Sequence, residues 1–193
     1  MLAALCLQTT EEESERRRRE LDQLLLQVGQ GDREAFARLY SLTRGAVYAL
    51  ALSLLQDTHE AQDVAQDTFV RVWERGPSYR SQGSPMAWLL TVARNLAWSR
   101  LRHSGRQVEV GEEAWNALPA SMPEVSPEDR VVLQEGLASL GAEERRIILL
   151  HAVTGLKHRE IAALLEQPLS TVLSKYHRGL KKLKSLMKGE NEP

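Results

Sequence analysis

Cysteine is almost missing from this chain: Cys6 is the only one. An internal disulfide needs two and a thiolate-rich zinc site needs more, so both are excluded, and a reducing compartment, the cytoplasm, is expected. Long apolar runs are missing too. No stretch approaches the roughly 20 apolar residues that span a bilayer, so no membrane insertion is expected. The opening Met1-Leu-Ala-Ala-Leu-Cys-Leu lacks a basic leader and is followed by Glu11, Glu12 and Glu13, so it does not read as a signal peptide. Sustained period-two alternation is not found; apolar residues recur at three and four almost everywhere, which predicts an all-α protein. Catalytic motifs are equally scarce. His158-Arg-Glu-Ile-Ala is not a zinc-binding His-Glu-x-x-His, the five histidines lie far apart along the chain, and there is no phosphate loop or nucleophile motif. Neither an enzyme nor a metal or cofactor is expected.

Charge is present but sorted. The net charge is −1, yet residues 80–106 carry Arg80, Arg94, Arg100, Arg102 and Arg106 with no acid among them. Residues 170–188 carry Lys175, Arg178, Lys181, Lys182, Lys184 and Lys188, again unopposed along the chain. Between them, residues 107–129 hold Glu109, Glu112, Glu113, Glu124, Glu128 and Asp129 and neither Lys nor Arg. Two basic surfaces separated by an acidic connector suggest two contacts with one polyanion.

The periodic segments divide into two units. The first, 21–106, opens with Leu21, Leu24, Leu25 and Val28 on one helix face, broken at Gly29 and Gly31. Asp32 caps a second helix that carries Phe36, Leu39, Tyr40, Val47, Leu50 and Leu54 and stops around Gln56 and Asp57. A third is expected from about Thr58 to Glu74, ending at Gly76-Pro77. A fourth starts with Ser84 as cap and Pro85 in the first turn, and turns Trp88, Leu89, Val92, Leu96 and Leu101 inward. Residues 107–126, with Pro119 and Pro123 and no apolar period, read as a flexible acidic linker with a transient turn near Trp115. The second unit, 127–188, has helices expected at 127–140, 142–153, 157–165 and 170–187. Residues 1–20 are expected as a tail without fixed structure, as are 189–193.

The most specific local signal runs from Lys157 to Arg178 and reads as a helix-turn-helix. Ile161, Ala162 and Leu165 face inward from the first helix, Glu166-Gln-Pro168 makes the turn, and Ser170 or Thr171 caps the second helix. Val172, Tyr176, Leu180 and Leu183 of that helix face the core. Ser170, Thr171, Leu173, Ser174, Lys175, Arg178 and Lys181 are then left for a DNA major groove, where Lys and Arg pair with guanine or phosphate. A plain helical hairpin with a solvated basic face is the bland alternative. On the third helix, Glu60, Asp63, Asp67 and Glu74 form an acidic stripe beside Val64, Phe69 and Trp73; by itself this is either a solvated face or a dock for a basic protein. The fourth helix interleaves Trp88, Asn95, Trp98 and Arg102 after the polar loop Tyr79-Arg-Ser-Gln-Gly-Ser84, a pattern suited to single-stranded nucleic acid. Trp88 is equally compatible with the core, while Trp98 and Arg100 are expected to be exposed.

In this order the motifs resemble a known family. Gly31-Asp32-x-x-Ala35-Phe36-x-x-Leu39-Tyr40, then Glu60-Ala-Gln-Asp-Val-Ala-Gln-Asp-Thr-Phe-Val-Arg-Val-Trp73, then Ala87-Trp-Leu-Leu-Thr-Val-Ala-Arg-Asn-Leu-Ala97 through Arg102 resemble region 2 of extracytoplasmic-function sigma factors. The C-terminal segment resembles sigma region 4. The resemblance implies that Glu60, Asp63, Val64, Asp67, Phe69 and Trp73 bind the clamp helices of the RNA polymerase largest subunit. It implies that Tyr79, Arg80, Ser81, Ser84, Trp88, Arg94, Asn95, Trp98 and Arg102 open and capture the minus-ten element. The second helix of the C-terminal unit would read minus-35 duplex near the polymerase flap, with the linker in the polymerase channel, and an anti-sigma factor would hold the protein inactive. The chain departs from the family pattern at Glu166, where a small Gly is common in the turn. It departs also at Leu173, commonly Lys, at Lys175, often Arg, and at Ser99, often Asp. The first twenty residues have no family counterpart and are either a flexible tail or the product of a start codon placed too early. A standalone helix-turn-helix regulator, or an interaction protein of the anti-sigma type, are the competing readings; zinc-type anti-sigma proteins use paired cysteines, which this chain lacks.

Overall fold

The computed structural model describes residues 11–81, 83–104, 136–137 and 139–187. Cys6, the expected linker with Trp115, most of the helix expected at 127–140 and the C-terminal tail lie outside the described residues. Among the described residues there are seven α-helices and no strand. Their bounds are α1 Glu11–Gly29, α2 Arg33–Leu55, α3 Thr58–Arg75, α4 Pro85–Ser104, α5 Ala142–Thr154, α6 His158–Leu165 and α7 Leu169–Met187.

Local chemistry accounts for most of these limits. The Asp32 carboxylate accepts from the amides of Glu34 and Ala35 and starts α2; Asp57 does the same for α3 through His59 and Glu60. Ser84 accepts from the Ala87 amide at 3.3 Å and starts α4. A 3-10 turn, Gly76–Ser78, closes α3. α1 begins ten residues before its apolar face and runs through residues expected as tail. Glu13 in the first turn favours the positive helix end, no Gly or Pro interrupts before Gly29, and Glu and Arg are good helix formers. A charged helix without an apolar stripe leaves no periodic signal in the sequence.

α1 to α4 pack as one bundle around Leu25, Leu39, Val47, Leu50, Val64, Val72, Leu89 and Leu90. Its tightest crossing is between Gly29 and the turn after α3: a Cβ on Gly29 would lie 2.5 Å from the Gly76 carbonyl oxygen. Only a glycine admits that approach. The second unit wraps α6 and α7 around α5, whose residues from Glu144 to Leu150 are buried all round. Gly179 lets α7 lie against α5, since a Cβ there would meet Ile148 Cδ1 at 2.6 Å.

The two units touch through a reciprocal exchange of arginines. Arg94 of α4 donates from Nη1 to the Leu164 carbonyl at 2.6 Å, at the C-terminal end of α6. Arg146 of α5 donates from Nη2 to the Ser53 carbonyl, in the last turn of α2. Helix C-termini carry unpaired carbonyls and the negative end of the helix dipole, so each guanidinium satisfies both needs in the other unit. Burial pushes the Arg146 pKa down from its usual value, opposed by the charge of Glu143.

Candidate functional site

α3 presents the acidic stripe as expected from its spacing, but with a built-in counter-charge. Asp63 and Asp67 are 60% and 54% exposed at the side chain and are bridged by Arg100 of α4, at 3.1 and 3.2 Å. The two carboxylates raise the Arg100 pKa above its ordinary value, chiefly through the hydrogen bond to Asp63. Arg100 is therefore half-buried, where exposure was expected. Val64 and Phe69, expected on the same docking face, are core residues: Val64 is sealed between helices and Phe69 packs edge-on against Tyr40 at 4.7 Å. Glu60 is half-buried and Trp73 is exposed, its ring edge-on to Phe36 at 5.2 Å. Sequence reasoning missed Val70, which is 56% exposed and falls on the acidic stripe between Asp67 and Glu74. An apolar residue on an otherwise charged helical stripe was the available signal.

The loop and helix expected to meet single-stranded DNA divide into held and outward residues. Tyr79 is buried, with its hydroxyl donating to Asp22 Oδ1 at 2.6 Å; burial first, then Asp22, push its phenol pKa up. Its ring meets Trp88 edge-on at 5.1 Å, and Trp88 is half-buried. Ser81 is exposed yet its hydroxyl donates to Asp22 Oδ2 at 2.6 Å. Ser84 serves as helix cap. Arg80, Asn95 and Arg102 are exposed. Arg94 departs from the expectation of a DNA-facing side chain. It is 8% exposed, bonded to Leu164 and, at 3.2 Å, paired with Glu166. Its guanidinium carbon sits 4.5 Å from the Trp98 ring centroid, which leaves Trp98 half-buried rather than exposed. In this conformation neither offers itself to DNA.

The helix-turn-helix is formed by α6 and α7. Ile161, Ala162 and Leu164 are buried, Leu164 taking the place expected for Leu165, which is half-buried. Glu166 makes the turn with φ of 54°, in the left-handed region where Gly is at ease. α7 starts at Leu169, earlier than expected: the amides of Thr171 and Val172 bond to the Pro168 carbonyl, so neither Ser170 nor Thr171 acts as the cap. Ser170 and Ser174 are exposed, Thr171 and Leu173 half-buried. Lys175, Arg178 and Lys182 of α7, unopposed along the chain, are opposed in space by the first turn of α5. Lys175 contacts Glu143 and reaches Gln167 at 3.3 Å. Arg178 and Lys182 pair with Glu144 at 3.0 and 2.9 Å, while Lys181 is exposed. The hydrogen bond from Lys175 holds Glu143 below the usual carboxylate range.

Three of the five histidines meet here. His151 and His158 stack at 4.6 Å, both rings sit edge-on to Tyr176, and His177 is its neighbour. His151 Nδ1 lies 2.8 Å from the Leu156 carbonyl. Burial, then His151 and His177, lower the His158 pKa, and burial raises that of Tyr176. Among the described residues no three metal-ligating side chains converge on one point, and no helix is long and apolar enough to cross a membrane.

Comparison with known proteins places these surfaces in context. A family model described as Sigma-70 region 2 matches residues 39–107, and one described as Sigma-70, region 4 matches residues 130–183. The chain is 34% identical over 176 residues to the ECF RNA polymerase sigma factor SigK of Mycolicibacterium vanbaalenii, covering 87% of this chain and 89% of that one. It is 33% identical over 175 residues to SigK of Mycobacterium tuberculosis, covering 87% and 94%. Among solved structures, the sigma factor RpoE from Bartonella quintana, in complex with the anti-sigma factor NepR, superposes with a TM-score of 0.55 at 26% identity, covering 79% of this chain and 96% of that one. CnrH, solved with the cytosolic domain of CnrY, shares the fold with a TM-score of 0.56 at 23% identity over 89% and 99% of the two chains.

Proposed function

The chain belongs to the extracytoplasmic-function group of RNA polymerase sigma factors, an alternative sigma factor for promoter-specific transcription initiation, and from that premise we propose how its surfaces divide the work. The observation that carries the reading is the ordered occurrence, on one chain, of a region 2 match and a region 4 match.

The outer face of α3, with Glu60, Asp63, Asp67 and Trp73, docks on the clamp helices of the polymerase largest subunit. Val70 adds apolar contact to it, and Val64 and Phe69 support it from behind. A basic partner surface would compete with Arg100 for the two aspartates. The loop around Arg80 and Ser81 together with Trp88, Asn95 and Arg102 receives the single-stranded minus-ten element. Arg94 and Trp98 join that surface once the two units separate. α7 enters minus-35 duplex with Ser170, Thr171, Leu173 and Ser174 toward bases, near the polymerase flap. Lys175 and Arg178 exchange their carboxylate partners for guanine or phosphate, and Lys181 adds charge. The chemistry of RNA synthesis belongs to the polymerase, the chain itself having no catalytic part, and the site of action is the cytoplasm. An inhibitory protein partner is supported by the RpoE relative, which was solved with an anti-sigma factor; in this reading it covers the α3 face and the C-terminal unit. Failure to recover a stoichiometric inhibitor by pull-down from the native host counts against it.

Run-off transcription on the promoter upstream of the chain's own gene tests the assignment, with bacterial core polymerase, the purified chain and an Asp63→Ala/Asp67→Ala variant. A transcript that needs the wild-type chain and is lost with the variant is expected. No transcript, with tight duplex binding by the free protein, would instead favour a standalone regulator.

A further inference from the structure

α1 reaches the promoter-facing loop with two side chains one helical turn apart. Asp22 accepts from the Tyr79 hydroxyl through one carboxylate oxygen and from the Ser81 hydroxyl through the other, each at 2.6 Å. Arg18 lies four residues earlier, on the same helix face. It donates from Nε and Nη2 to the Gly83 carbonyl, at 3.2 and 2.8 Å. Behind these contacts α1 is anchored firmly. Leu21, Leu24, Leu25 and Val28 are buried, and Gly29 touches the Gly76 backbone. The loop is thus gripped at Tyr79, Ser81 and Gly83, with the Tyr79 amide bonded to the Gly76 carbonyl at one end and the Ser84 cap at the other.

We propose that Asp22 and Arg18 are positioning residues for minus-ten recognition: α1 holds the loop in the shape that receives unpaired bases, so that binding does not have to order it. The proposal rests on the reading of this loop as a minus-ten contact. It assigns a task to a helix whose first two turns carry no family motif. Its physical basis is preorganisation: each loop residue that must be ordered on binding weakens affinity about tenfold, and three gripped positions make an effect of about 10- to 100-fold reasonable for loss of either anchor.

The test uses holoenzyme assembled from core polymerase and the full chain. The probe is a fluorescent fork-junction DNA, single-stranded across minus-ten, cut from a promoter on which the wild-type holoenzyme yields a run-off transcript. Asp22→Ala and Arg18→Ala are expected to weaken fork binding about 10-fold or more, with core affinity close to wild type; Arg18→Ala, which breaks an exposed contact, should also keep the wild-type melting temperature. Ser81→Ala removes one of the two Asp22 hydrogen bonds from the loop side without touching the helix. It should lose its effect in the Asp22→Ala background, because the one contact it breaks is already among the two that Asp22→Ala removes. Arg80→Ala, an exposed loop change, monitors the underlying reading. If Arg80→Ala weakens fork binding while Asp22→Ala, Arg18→Ala and Ser81→Ala do not, positioning by α1 is refuted and the loop assignment stands. If all four bind as wild type, the loop assignment itself fails and takes the proposal with it. Additive effects of Asp22→Ala and Ser81→Ala would also overturn it.

Discussion

Replacing Arg94 by Met should open the molecule. Met keeps an unbranched stem but removes the guanidinium that caps α6 from the other unit. The bond to the Leu164 carbonyl joins a charged donor to a buried acceptor, a contact worth about 1.5 to 3 kcal/mol. The pair with Glu166, whose side chain is more than half exposed, adds only a few tenths to about 1 kcal/mol after solvent screening. The stacking on Trp98 lies within α4 and survives separation, so it contributes nothing to docking. A docked variant would leave the Leu164 carbonyl without this donor, whereas separation gives it water. A net loss of about 2 to 3 kcal/mol shifts the docked-to-separated ratio by roughly 30- to 150-fold. Resonance energy transfer between labels at Gln62→Cys and Lys184→Cys, in a Cys6→Ser background, reads that ratio. Arg146→Met, which removes the reciprocal cap on Ser53, should act in the same direction. Identical transfer efficiency in wild type and both variants would refute the arginine exchange as the holding contact.

Burial of His158, and then the neighbouring His151 and His177, make the second unit acid-sensitive. Because the folded His158 pKa is lowered, the unfolded chain binds more protons below about pH 6.5, so stability rises with pH through that window and is lost as pH falls below it. Melting temperature should drop from pH 7.5 to pH 5.5, and His158→Gln should flatten the drop. At the turn, Glu166→Gly and Glu166→Ile lose the same pair with Arg94, but only Gly suits a φ of 54°. The Ile variant is expected to be less stable by about 1 to 2 kcal/mol, or several degrees in melting temperature, as read by thermal denaturation. Freeing α7 from its local acids should strengthen phosphate contact. A Glu143→Gln/Glu144→Gln variant is expected to bind non-specific duplex more tightly, with a steeper dependence on salt, measured by anisotropy titrations at several ionic strengths.

The all-helical class, the caps at Asp32 and Ser84, the stop at Gly76-Pro77 and the helix-turn-helix were legible in the residues. Each is set within about one turn of chain, by apolar spacing, a side-chain acceptor or a restricted backbone. The family resemblance was legible for the same reason, since its motifs are local strings. What tertiary structure decided was the company each charge keeps. α1 extends to Glu11 without an apolar stripe to announce it. Asp63 and Asp67 share Arg100, and the α7 cations meet Glu143 and Glu144, because helix packing sets one charged face against another. Arg94 and Arg146 are the clearest case. The resemblance implies a DNA contact for Arg94, and no local pattern marks Arg146, yet each side chain ends on a backbone carbonyl 70 or 93 residues away. Every residue carries that same carbonyl. Only the fold determines which ones stand unpaired at a helix end within an arginine's reach.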